Sequence, residues 1–266
     1  MNLDADIPGA NTVLRGPVGG SVTNIFTSSR RNLGDRYSSP LSYFDFPFPI
    51  ETKDFNAIKR DFGSVILGGG GLFWHEERIK SIIDRTRGAL VSWGVGHNSE
   101  GKKSLRWPAF MSRFTLHGVR DWAAGFNWVP CASCMHPVFD IEYRITREVV
   151  HYEHRRRRTG LKDLPMLRNI EPRFEDVIGF LGSASVILTN SYHGAYWGAL
   201  LGRTVVIVQP FASRFFHMRH QPAIANNDDW KGALPLARSF PEALVECRAA
   251  NREHFERVRE LLSGTR

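Results

Sequence analysis

The hydrophobic positions of this chain fall into short apolar runs, each closed by a glycine, asparagine or histidine. The stretch from Ser185 to Phe216 shows the pattern most sharply. Val186 to Leu188 is a β-branched apolar run that predicts a buried strand, and Asn190 to Gly194 is a polar, glycine-containing break. Ala195 to Leu201 is small and apolar, as suits a helix packed on a sheet. Gly202 ends that helix, and Thr204 to Val208 predicts the next buried strand. A strand, a helix and a second strand at this spacing make a right-handed crossover in a parallel sheet.

The same reading predicts strands at Val22 to Phe26, Phe62 to Leu67, Ala89 to Trp93, Phe114 to Val119, Glu148 to Tyr152 and Ser185 to Thr189. Helices are expected at Glu76 to Arg87, at Lys102 to Arg113, and from Glu171-Pro172, with proline in the first turn. Phe174, Val177, Ile178 and Leu181 form the apolar stripe of that last helix, and Gly182 stops it. Ser239-Phe-Pro-Glu242 reads as a capping box opening a helix to about Leu262 that packs across a domain. Residues 1–20 read as an irregular lead-in. The passage near residue 140 from one series of strands and helices to another predicts two domains, 1–140 and 141–266. The fold class is α/β, with parallel sheets flanked by helices.

Composition narrows the picture modestly. At 266 residues and 42% hydrophobic content the chain can bury one large core or two modest ones. It has no apolar run of the ~18 residues that a membrane-spanning helix needs. The opening Met1 to Pro8 lacks the basic-then-apolar pattern of a signal peptide, so cytoplasmic residence is expected. Three cysteines fit a reducing compartment. The net charge of +8 favours anionic partners: a phosphorylated metabolite, a lipid-linked glycan at a membrane surface, or nucleic acid.

Candidate chemistry gathers at the predicted strand ends, where open α/β sheets bind ligands. Asn190, Ser191, His193 and Gly194 follow one strand and begin a helix, and Ser213 and Arg214 follow the next. Together they suit a phosphate or carboxylate. Gly69, Gly70 and Gly71 close the strand before residue 68, permitting close backbone approach, but with neither P-loop nor dinucleotide spacing. His97 and Asn98 close another strand, and His154 opens onto the same face as His193. Asn32-Leu-Gly-Asp35 follows the first strand as a polar turn, and Arg120-Asp121 reads as a structural ion pair or cap. Arg155 to Arg158 lacks interleaved aromatics and any surrounding nucleic-acid module, so no nucleic acid partner is expected and a solvated, phosphate-steering loop is. Cys131-Ala-Ser-Cys134 with His136 is half of a zinc pattern without its second pair. It reads as partly buried thiols, and no metal is expected.

The run Thr189-Asn-Ser-Tyr-His-Gly-Ala-Tyr-Trp-Gly-Ala-Leu-Leu-Gly-Arg-Thr-Val205, followed by Pro210-Phe-Ala-Ser-Arg-Phe215, resembles the polysaccharide pyruvyl transferase family. Asn32-Leu-Gly-Asp35, Gly68 to Gly71, Trp93 to Asn98 and Arg120-Asp121 fall in the family's order, so the resemblance covers most of the chain. It implies a GT-B-like pair of Rossmann-like domains facing across a cleft. It also implies transfer of a pyruvyl unit from phosphoenolpyruvate to a sugar of a polysaccharide or cell-surface glycan precursor, with no further cofactor. On that reading His193 is the general acid and His154 a second acid or base. Asn190, Ser191, Gly194, Ser213 and Arg214 hold the donor, while Asn32, Asp35, Gly69 to Gly71, His97 and Asn98 face a glycan or lipid-linked oligosaccharide acceptor. Such an acceptor allows peripheral contact with the inner face of the plasma membrane. Many members carry arginine where Ser191 stands, so either Arg214 or an arginine of 155–158 replaces that contact or donor binding is weaker. Two other readings keep parts of this picture: a GT-B glycosyltransferase using a nucleotide sugar, and a basic module binding anionic glycan or nucleic acid through Arg155 to Arg158.

Overall fold

A computed structural model describes residues 20–28, 32–58, 60–122, 125–170, 173–225 and 229–264. Its first sheet comprises β1 (Val22–Phe26), β2 (Ile50–Asp54), β3 (Ser64–Gly68) and β4 (Leu90–Trp93), in the order β2-β1-β3-β4. Every neighbouring pair is parallel, with Val22 opposite both Ile50 and Ser64. A short helix, α1 (Leu33–Arg36), follows β1, and α2 (Glu76–Arg85) connects β3 to β4. The second sheet comprises β5 (Arg147–Glu153), β6 (Met166–Arg168), β7 (Ala184–Thr189), β8 (Thr204–Val208) and β9 (Ala223–Ala225), in the order β6-β5-β7-β8-β9 and again parallel throughout. Helices α3 (Phe174–Gly182) and α4 (Tyr192–Leu200) make its crossovers, and α5 (Trp230–Ala233) and α6 (Ala243–Ser263) close the chain. The protein is thus α/β, with two parallel sheets flanked by helices, as the apolar runs predict.

In both sheets the second strand pairs on one side of the first and the third strand on the other. This reversal creates a crevice at the carboxyl ends of β1 and β3, and another at those of β5 and β7, the usual ligand positions in such sheets. Helix α4 is buried along all nine of its residues. Its glycines allow this: a side chain at Gly198 would come 2.8 Å from Val205 and 2.9 Å from Ile187, and one at Gly194 would come 2.5 Å from both Thr189 and Tyr152. Gly202, at φ +64, supplies the left-handed turn that ends the segment.

Helix α6 packs against both cores. Ala243 and Cys247 lie among the side chains that cover the second sheet, and Val258 and Leu262 lie with Val22, Ile66, Val91 and Trp93 of the first. Between them the Asn251 side chain accepts from Trp93 Nε1 at 2.8 Å, and His254 Nε2 meets the Ser92 carbonyl oxygen at 3.0 Å. Packing across the fold agrees with the sequence reading. The capping box does not form: Glu242 is the N-cap, and no side chain caps the helix.

Two expected elements are absent. Only a 3-10 turn, Ala109–Arg113, stands where a helix was expected over 102–113. Pro108 disfavours helical geometry at Trp107, whose ring instead packs against His97, Phe73 and Phe126. Residues 114–119 form isolated bridges, Leu116 to Val91 and Val119 to Val95, rather than a strand. Gly118 divides them, tucked so close that a side chain there would meet the Ser92 carbonyl oxygen at 2.7 Å. The expected lead-in (residues 1–19) and the Glu171-Pro172 helix start lie outside the described residues.

Candidate active site

The two crevices touch through α1. Leu33 is buried among the side chains that cover the second sheet, which carries the next residue onto the start of α4. A side chain at Gly34 would fall 1.9 Å from His193 Nδ1, so the imidazole lies flat against the glycine backbone. Asp35 then turns back towards the first sheet. It accepts from Asn32 Nδ2 at 2.6 Å and faces Gly70, where a side chain would meet its carboxylate at 3.3 Å. Asn32 in turn accepts from Asn169 at 3.5 Å. The Asn-x-Gly-Asp segment, expected as a turn, is therefore a single helical turn that brings His193 and the glycine loop together.

The cationic side chains come from two directions. Arg120, 3% exposed, follows the β4 side of the first sheet and lies 4.1 Å above the Tyr192 ring. Its guanidinium comes within 3.4 Å of where a Gly71 side chain would stand and donates weakly to the His97 carbonyl at 3.5 Å. Arg214, from the turn after β8, stacks on Phe211 and Phe215 at 5.2 Å from each. Neither arginine forms a salt bridge among the described residues, and Nε of Arg120, Nε of Arg214 and Nε2 of His193 are buried there without a hydrogen-bond partner. Buried donors of this kind are costly unless an acceptor reaches them.

The electrostatics follow from this crowding. Burial, together with the Arg120 charge, brings the Arg214 guanidinium down to about 10. Burial and the two arginines hold the His193 imidazole well below its ordinary range, so it is neutral at pH 7. His154 is half-buried beside Phe211 and is lowered to about 4 by burial, then by Arg214 and Arg155. Asp35 is raised by burial against the opposing pull of Arg120 and Arg214. The site is a pair of close guanidinium groups, two neutral imidazoles and one desolvated carboxyl. An expectation changes here: burial and the two arginines keep His193, the expected general acid, in its neutral form.

The remaining expected residues divide into those at the site and those spent on packing. Asn190 ties the two strand ends together, accepting from His154 N at 2.7 Å and donating to the Arg157 carbonyl at 3.0 Å. Ser191 is the N-cap of α4, but its side chain makes no capping bond, which leaves the first-turn N–H groups without a side-chain acceptor. Gly194 is explained by helix packing. Ser213, fully buried, exchanges bonds with Ser99 (3.1 Å and 3.0 Å) and so joins the two strand-end loops rather than facing a ligand. Gly69 packs onto Ser38, whereas Gly70 and Gly71 border Asp35 and Arg120. His97 does not face outward; it is boxed by Trp107 and Phe73 and lowered to about 4 by burial and Arg120. Asn98 stands against Gly71, with its side-chain oxygen buried.

Arg120 and Tyr192 are the site residues that sequence reasoning assigned elsewhere or passed over. Asp121 is a cap, accepting from His97 N at 2.7 Å, but Arg120 is not its ion-pair partner. Arg120 lies beside the α4 start, over the Tyr192 ring. The signal available in sequence was its place at a strand end, next to an acid already committed to the backbone.

The cysteines are buried more completely than expected. Cys131 and Cys134 are fully buried in a 3-10 turn, and burial pushes the Cys134 thiol up to about 12. No helix among the described residues is long and apolar enough to cross a membrane. No protein-family model matches this chain, and no curated protein matches it.

Proposed function

We propose that the protein is a transferase that moves a pyruvyl unit from phosphoenolpyruvate to a sugar of a polysaccharide or glycan precursor. It would work in a GT-B-like arrangement of two Rossmann-like domains, on the cytoplasmic side and within reach of a lipid-linked acceptor. One observation carries the reading: Arg120, which is buried, and Arg214, whose Nε is enclosed, form no salt bridge among the described residues and converge on His193. Phosphoenolpyruvate offers a phosphate and a carboxylate, one anionic group for each guanidinium.

The roles follow from charge. The bound anion raises the His193 pKa, and the resulting imidazolium gives its proton to the methylene carbon of the donor. An acceptor hydroxyl bonds to the adjacent carbon and loses its proton to a neutral base, for which His154 is suited. Phosphate leaves with the electron pair of its C–O bond and the proton held by His154, and a second hydroxyl of the same sugar closes the ketal, giving its proton back to His193. Asp35, held by Asn32 between His193 and the glycine loop, orients the acceptor.

The test is calorimetric titration with phosphoenolpyruvate and, separately, with uridine diphosphate, followed by an assay of phosphate release with acceptor. Binding of phosphoenolpyruvate with phosphate release supports the proposal. Binding of the nucleotide alone transfers the site to a nucleotide-sugar glycosyltransferase. Binding of neither removes the anion reading.

A further inference from the structure

Beyond the arginine site, the first sheet carries a second concavity. A cleft of about 680 Å³ opens past the carboxyl ends of β2 and β3, between the loop after Asp54 and the start of α2. Its chemistry differs from that of the anion site. Trp74 is 52% exposed and makes no ring contact among the described residues, so an indole face is free on the wall. Opposite stand Asn56, His75, Glu76 and Arg78, all exposed. Arg78 is held in place: Nη1 donates to the Phe55 carbonyl at 3.2 Å and to Asn56 Oδ1 at 3.0 Å, and the guanidinium lies 5.5 Å from the Phe55 ring. Asp54 fixes the same loop by accepting from Asn56 N at 2.8 Å and from Ser28 N at 2.9 Å.

We propose that this cleft is a binding subsite for an uncharged pyranose residue. A pyranose presents an apolar C–H face that packs on an indole and a rim of hydroxyls that bond to planar amide, carboxylate and guanidinium groups. Glu76 and Arg78 balance one another at the cleft and Glu77 is paired with Lys80 at 2.8 Å, so the lining carries no net charge and favours a neutral ligand over phosphate. The segment Gly71 to Trp74 joins the two sites: Gly71 borders Arg120, Phe73 packs against His97, and Trp74 lines the cleft. Resting on the transferase reading, the subsite would hold a sugar of the acceptor chain away from the residue being modified, so recognition would extend over more than one sugar unit.

The test is saturation-transfer NMR on the full chain with cellobiose, maltose and methyl β-galactopyranoside, comparing wild type with Trp74→Ala and Asn56→Ala, each also titrated with phosphoenolpyruvate. The expected result is saturation of ring C–H protons of at least one saccharide. Trp74→Ala should weaken it about tenfold, Asn56→Ala should weaken it less, and both should retain wild-type affinity for phosphoenolpyruvate. Absence of binding by all three saccharides, or binding undiminished in Trp74→Ala, overturns the subsite. Saccharide binding that depends on Trp74 in a protein that ignores phosphoenolpyruvate keeps the subsite and removes the transferase reading; the reverse pattern removes the subsite alone.

Discussion

Two groups of arginines lie near the second sheet, and they are treated in opposite ways. Around the end of β5, Glu153 is 5% exposed and accepts from Arg158 at 2.8 Å, from Arg168 at 3.2 Å and from the Thr159 backbone at 3.0 Å. Arg157 pairs with Glu100 at 2.7 Å. Much of the basic run that the sequence marks as a patch is thus neutralised by its own fold. At the α4 start, by contrast, Arg120 and Arg214 have aromatic faces beneath them and no salt bridge among the described residues. Aromatic stacking positions a guanidinium without consuming its donors. The first group is there for structure, and the second is held ready for an anion.

The comparison is broken most directly at the second group. Arg214→Gln, or Arg120→Gln, should cost about 2–3 kcal/mol of phosphoenolpyruvate affinity, the worth of a charge-assisted contact. That is a loss of roughly 30- to 150-fold. Stability should hold or rise, since each substitution relieves the repulsion between two crowded like charges. Calorimetry and thermal melting on the same samples report both quantities. Unchanged affinity with reduced stability would place these arginines among the structural ones.

The first group should respond in the opposite sense. Glu153→Gln leaves Arg158 and Arg168 without their carboxylate. The side chains of these arginines are 55% and 28% exposed, so water recovers part of the loss. A fall of about 1–2 kcal/mol in unfolding free energy is expected, between the surface and buried limits for ion pairs. Affinity for phosphoenolpyruvate should stay within about twofold, because the Glu153 carboxylate is committed to Arg158, Arg168 and the Thr159 backbone and not to the arginines at the α4 start. Urea denaturation and calorimetry give the two numbers; a large loss of affinity would mean that the β5 end belongs to the site.

The two regions were unequally legible in sequence. Strands β3, β4, β7 and β8 announce themselves because their residues are almost all apolar and mostly buried, while β1 and β5 show only through shorter apolar cores, Ile25-Phe26 and Val149-Val150. The edge strands β2, β6 and β9 do not: β2 reads Ile-Glu-Thr-Lys-Asp and is partly exposed, and β6 and β9 are three residues each. The site residues that follow interior strands, His193 and Arg214, were found for the same reason. Arg120 was misassigned because its neighbour Asp121 looked like its partner, and only three-dimensional packing shows that acid turned onto the His97 backbone. The resemblance turns His97 towards an acceptor, but Trp107 and Phe73 enclose its ring. Partnerships between side chains are set by such long-range contacts, which periodicity does not report.

Histidines sharpen the comparison further, through pH. His254, on the buried face of α6, is 2% exposed and is lowered to about 4, chiefly by burial. Its unfolded value is near 6.5, so below that pH the unfolded chain takes up a proton that the folded chain refuses, and stability falls with acidification. Its share between pH 7.5 and 5.5 is about 1 kcal/mol, from 1.36 kcal/mol per pH unit below the unfolded pKa. His254→Asn should flatten the urea-denaturation pH profile by that amount while leaving phosphoenolpyruvate affinity alone. His193 is also held neutral, but by burial and two cations that an anion would offset. Phosphoenolpyruvate binding should therefore take up a proton at His193, and affinity should rise as pH falls from 8 to about 6. Calorimetry in buffers of different ionisation enthalpy reads this uptake directly, and His193→Asn should abolish it. Equal proton uptake in wild type and His193→Asn would separate the imidazole from the anion and leave it a buried packing residue like His254.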